Sequence, residues 1–255
     1  MVQQCSEQMS GDNLGIALPT MSTTPSFDWR QEWRELKEFL KKPRRGRIAS
    51  APFSQTWRRF LLVFGIDIAI VLFVTLPLDS ILDEWAGLES KLEINGKIAL
   101  YGIVFAPIIE ELVFRAGLRK AGYSLFIGPI FVACFAGSML VVGALATILM
   151  SIAVIDKIRM RWVPEGNGRR FARGRAFIRH YPYVFWLYAI GFGLVHLGNF
   201  YSSNGRDYLL VFAISAQLSA GFLFAYLRLR QGLLSSILLH SLENGLFFAL
   251  EMMSG

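Results

Sequence analysis

The chain has 255 residues, of which 54% are hydrophobic, and it carries a formal charge of +7 with a mean hydropathy of +0.44. Such an apolar composition excludes an ordinary soluble domain of this size, and the length suits one membrane domain of several spans. The positive charge would fit nucleic acid, but the cations cluster beside apolar runs as a topology signal does, so no nucleic-acid partner is expected.

Residues 1–26 are polar, rich in Ser, Thr, Met and Gln, and lack the apolar stretch of a cleavable signal peptide; they read as a flexible N-terminus. The next stretch, FDWRQEWRELKEFLKK at 27–42, predicts a helix with Asp28 as its cap. Phe27, Trp33, Leu36, Phe39 and Leu40 form an apolar stripe opposite Arg30, Arg34, Lys37 and Lys41. A basic amphipathic helix with tryptophans fits membrane lipid as its partner; packing on the protein itself is the alternative. PRRGR at 43–47 breaks this helix, so 27–58 reads as a basic interfacial segment ahead of a transmembrane domain at 59–255. Spans of about 20 apolar residues are expected at 60–78, 97–116, 121–137, 139–155, 183–200, 208–227 and 232–252, with Gly137-Ser138 as the turn dividing the fused 121–155 stretch. Cys5 lies in the polar tail and Cys134 in an expected span, so no disulfide is predicted. The fold class expected is all-α, a polytopic integral membrane bundle of about seven transmembrane helices with an N-terminal amphipathic helix.

Charge supports that layout. With these spans, 23 of the 26 Lys and Arg fall on one side, and only Lys91, Lys97 and Arg206 on the other. The positive-inside rule then puts the N-terminus in the cytoplasm and the chain in the cytoplasmic (plasma) membrane. The basic loop 156–182 is expected to rest on the inner leaflet.

Three spans carry groups that a lipid-facing helix would not. Glu110 and Glu111 stand side by side in ALYGIVFAPIIEELVFRAGL, and carboxylates at bilayer depth are a functional-site hypothesis by default. Glu111 and Arg115 are four apart on one helical face and can pair, whereas Glu110 points about 100° away and is free to act as a base. Pro107 removes a backbone donor one turn earlier. In the fifth span Phe192 can wall the ring of His196, and Asn199 could orient its other nitrogen. In the last span His240 and Asn244 share a face, and both can donate to an oxyanion. Counted from the basic ends of their spans, Glu110, His196 and His240 lie about 14, 20 and 14 Å deep at ~1.5 Å per residue, one layer within the span. Ser235, Ser236 and Ser241 lack the setting of a nucleophile.

These motifs, Glu110-Glu111-LVF-Arg115, Phe192-GLV-His196 and His240-SLE-Asn244, resemble in order and placement those of the CPBP intramembrane proteases, which include the CAAX prenyl endopeptidases and the bacteriocin-processing or immunity proteins. The resemblance covers about 97–250. It implies that Glu110 and His196 activate a water for attack on a peptide carbonyl, that His240 and Asn244 stabilise the oxyanion, and that Glu111, Arg115 and Phe192 support the site. It also leaves metal open: Glu110, His196 and His240 could supply three zinc ligands, although Asn244 beside His240 suits a donor pair better, which favours a site with no required cofactor.

The function expected is therefore an endopeptidase acting within the membrane on a membrane-anchored protein or peptide, with lipid-modified substrates implied by the resemblance alone. The alternative is a non-enzymatic membrane binder of immunity or regulatory type that keeps the fold. A proton-coupled transporter fits less well, since no paired repeats with broken helices are evident.

Overall fold

The computed structural model describes residues 28–46, 52–91, 95–115, 117–119 and 166–254, with Ala121, Ser151, Ile155 and Ile158 as isolated positions. The polar tail 1–26 and, apart from those positions, the expected spans 121–137 and 139–155 lie outside the described residues.

Helix α1 (Trp29–Lys41) starts where Asp28 accepts from the Arg30 amide at 2.9 Å. Its stripe of Glu32, Leu36 and Phe39 is buried against the bundle. Phe39 meets the rings of Phe185 and Tyr226 edge-on at 5.1 and 5.2 Å. Glu32 receives both Nε, at 2.7 Å, and a terminal nitrogen of Arg59, a two-point bond that holds the acid in its buried position. Trp29 and Trp33 stay exposed on the outer side.

Helix α2 (Phe53–Ala86) is 34 residues long, about 50 Å at 1.5 Å per residue, longer than a bilayer core. It contains a π-helical turn at Val71–Thr75 just before Pro77. Helix α3 repeats the device: Gly96–Leu100, a π turn at Tyr101–Phe105, then Ala106–Arg115 with Pro107 just after the turn. A proline ring clashes with the carbonyl four residues back, and the wider turn makes room for it.

Gly87, with φ +56°, ends α2 in the left-handed region and feeds strand β1 (Leu88–Ser90). After α4 (Gly166–Arg179), α5 (Tyr181–Leu194) and a 3₁₀ turn (Val195–Asn199) comes β2 (Phe200–Ser202). The two strands pair antiparallel, Leu88 with Ser202 and Ser90 with Phe200. This ribbon qualifies the all-α expectation; the described residues are otherwise mostly helical.

A short helical stretch from Asp207 leads into α6 (Ser215–Arg230), and α7 (Leu233–Ser254) closes the bundle. Helices α5 and α6 pack closely: a Cβ added to Gly221 would lie 2.5 Å from the Ala189 carbonyl oxygen. Small residues of this kind let backbones approach where lipid supplies no hydrophobic drive. Three helices, Phe53–Ala86, Asp207–Arg230 and Leu233–Met253, are long and apolar enough to cross a membrane. Helix α3 differs in its charge, with Lys97, Glu110, Glu111 and Arg115 along its length. Three candidate spans are thus visible among the described residues, and seven are not established.

Candidate active site

The site forms where α3, the end of α5 and α7 converge. Glu110 lies on α3 one residue before Glu111, so their side chains diverge. One Glu110 oxygen, Oε2, is 3.8 Å from His196 Nε2 and 3.8 Å from His240 Nε2. Both gaps exceed a direct hydrogen bond. Each is a spacing that a water bonded to both atoms of the pair can span.

His196 is on the 3₁₀ turn rather than within the α-helix expected over 183–200. Its Nδ1 is 2.7 Å from the Phe192 carbonyl oxygen, so that backbone group, and not the Asn199 side chain expected from the sequence, orients the ring. Asn199 instead uses its carbonyl to accept from the Lys91 amide at 2.8 Å, and Lys91 Nζ donates to the Gly198 carbonyl at 3.1 Å. The segment after β1 therefore pins the turn that presents His196.

His240 lies between the two carboxylates, with Nε2 toward Glu110 and Nδ1 3.4 Å from Glu111 Oε1. Behind it Glu111 pairs with Arg115 at 3.5 Å, and both are fully buried. The Arg115 guanidinium stacks 4.5 Å over the Phe192 ring and 5.9 Å from that of Phe224. Those rings also enclose His240, with centroids at 5.6 and 4.8 Å. Phe192 thus touches His196, His240 and Arg115 at once.

Asn244 stands apart from this cluster in its bonding. Its Nδ2 donates to the Gly102 carbonyl at 2.7 Å. In the π turn the Ala106 amide bonds to Tyr101 O. Continued by one residue, that pattern would pair Gly102 O with residue 107, a proline without an N–H. Pro107 leaves the carbonyl open and Asn244 fills it. The ring of Phe248, one turn further along α7, occupies the space where a Cβ on Gly102 would go, which holds the two backbones close.

Two acids near the site stand outside the three motifs. Asp67 on α2 is fully buried, and neither of its carboxyl oxygens has a hydrogen-bond partner. Glu243 on α7 lies within electrostatic reach of Asp67 and Glu111. An aspartate inside FLLVFGIDIAIVLFV was the available signal.

For zinc, the 3.8 Å separations of Glu110 from both imidazoles exceed the edge of about 3.3 Å that tetrahedral ligands at ~2.0–2.1 Å require. Among the described residues no three His, Cys, Asp or Glu side chains form a group that could hold a metal.

The family model described as Type II CAAX prenyl endopeptidase Rce1-like matches residues 96–246. The chain belongs to this family. It is thereby an integral membrane protease of CAAX type, with a membrane-associated peptide or protein as substrate. The match begins at the first residue of α3 and ends inside α7, so it contains the Glu110, His196 and His240 elements and leaves out α1 and α2. No curated protein matches the chain, and no solved structure does.

Proposed function

We propose that this protease cleaves a peptide bond in a membrane-anchored, lipid-modified chain by a metal-free mechanism, with Glu110 as the base that activates water. One observation carries the reading: a single Glu110 oxygen faces two imidazoles from separate helices at equal distance. A water held by Glu110 and His196 loses a proton to the carboxylate as its oxygen attacks the carbonyl carbon. That proton then passes to the leaving amine.

Glu111 Oε1 lies 3.4 Å from His240 Nδ1, which leaves Nε2 of the same ring to act as the donor. Arg115 and Glu111 hold the ring at that depth, and Phe192 fixes its plane. The developing oxyanion is met by His240 Nε2–H together with the Asn244 amide, which exchanges its Gly102 acceptor for the substrate oxygen. An apolar groove of about 490 Å³ between Phe64, Ile103, Leu238 and Leu242 runs along the outer side of α7, which suits a substrate arriving from the lipid phase. In this reading the N-terminus and the basic ends of the helices face the cytoplasm in the cytoplasmic membrane, which the distribution of Lys and Arg supports.

The test is cleavage of tagged, lipid-modified membrane peptides by the purified protein, with Glu110→Gln and His196→Ala alongside, each with and without a chelator. Loss of about 10²–10⁴-fold in both variants, unchanged by chelation, is the expected result. Loss on chelation with recovery on zinc would replace the mechanism by a metal-dependent one. Cleavage surviving both substitutions would remove the site.

A further inference from the structure

At the end of the bundle where α1 docks, a cavity of about 610 Å³ opens between three separated parts of the chain. Lys42, Arg44 and Arg45 reach it from the segment after α1, Arg119 from the turn after α3, and Arg179 with Tyr181 from the α4–α5 junction. Among the described residues no acidic side chain lines it. Like charges gathered this way raise the local potential and repel one another unless an anion sits among them.

Arg119 makes the case sharper. Its terminal nitrogen donates to the Leu229 carbonyl, which fixes the guanidinium in place. Its Nε is nevertheless buried with no hydrogen-bond partner, and a buried donor of that kind calls for an acceptor. Tyr181 is fixed in turn by donating to the Leu118 carbonyl at 3.1 Å. The Arg45 guanidinium lies over the Phe177 ring with its centre 6.0 Å from the centroid. Arg119, Tyr181 and Arg45 are thereby held in place, and Lys42, Arg44 and Arg179 stand on the exposed rim.

Its surroundings point to the source of the anion. Ile178 in the wall and Tyr183 just beyond it are exposed. Exposed aromatic and aliphatic side chains beside a cationic cup match a phosphate headgroup with acyl chains running down the apolar side. We infer that this cavity is a binding site for the phosphate headgroup of an anionic lipid, separate from the proteolytic centre.

The experiment measures binding of dioctanoyl phosphatidylglycerol to the full chain in neutral detergent, with dioctanoyl phosphatidylcholine and inorganic phosphate as comparisons. The protein forms are wild type, R45Q/R179Q and R30Q/R34Q. The last pair removes two cations from α1 outside the cup, and all four positions are exposed, so folding is spared. Saturable binding of the phosphatidylglycerol that weakens about tenfold or more in R45Q/R179Q and not in R30Q/R34Q is expected. Equal weakening in both variants would mean diffuse surface attraction and overturn the site. Inorganic phosphate binding as tightly as the lipid would overturn the lipid assignment, and equal binding of phosphatidylcholine would overturn the role of charge.

Discussion

Glu111 and Arg115 are fully buried, and such a pair governs stability mainly through what is left when one partner is removed. Arg115→Met is expected to strand Glu111 and cost about 3–5 kcal/mol, read as a fall in the unfolding midpoint in detergent. Glu111→Gln/Arg115→Met is expected to regain most of that loss. Equal midpoints for the single and double variants would mean that the guanidinium matters for its stacking on Phe192 and Phe224 and not for its charge. Asn244 calls for a different readout. Asn244→Ala removes the donor to Gly102 and should cost about 1 kcal/mol of stability. If the amide also meets the oxyanion, kcat should fall about 10²-fold with KM nearly unchanged. A stability loss without a kcat loss would confine Asn244 to tying α7 to α3.

Proline and the π turn act together in α3. Pro107→Ala restores an N–H opposite the Gly102 carbonyl and removes a residue that costs about 3 kcal/mol inside a helix. The variant should unfold at the same temperature or higher. It should also cleave at least about tenfold more slowly, because a regular ladder takes the carbonyl from Asn244 and turns Glu110 relative to His196. Unchanged cleavage with a regular helix would show that the π turn only accommodates the ring. The α5–α6 contact positions His196 from the other side. Gly221→Leu would push the Ala189 backbone away, and both stability and cleavage are expected to drop, the measurement being a midpoint and a rate on the same preparation. The element boundaries near His196 could not be read from periodicity. The run YPYVFWLYAIGFGLVHLGNF is apolar but for its tyrosines, His196 and Asn199, so its periodicity does not mark the change from α to 3₁₀, where Lys91 bonds to Gly198 and Asn199 from 107 and 108 residues away.

Topology belongs to the whole chain. With Cys5 and Cys134 replaced by Ser, a single cysteine introduced at Ser203, beside the β-ribbon, should react with a membrane-impermeant thiol reagent applied to intact cells. One introduced at Ser54, at the basic start of α2, should react only after lysis. The reverse pattern would invert the orientation drawn from the cations. The sequence by itself marked the chain as mostly helical and pointed to the polar residues out of place in its apolar runs, because a 20-residue apolar run and a carboxylate within it are local facts with strong free-energy consequences. It also showed the pairing of Glu111 with Arg115, since four residues on a helix place two side chains on one face. Tertiary structure alone decided that His240 lies between Glu110 and Glu111, that Asn244 bonds to a carbonyl freed by Pro107, that Glu32 of α1 turns inward to Arg59, and that five cations from three segments form one cup. Each of these joins residues far apart in the chain. Their distances are set by how helices pack, and packing depends on the summed shape of whole helix faces rather than on any motif.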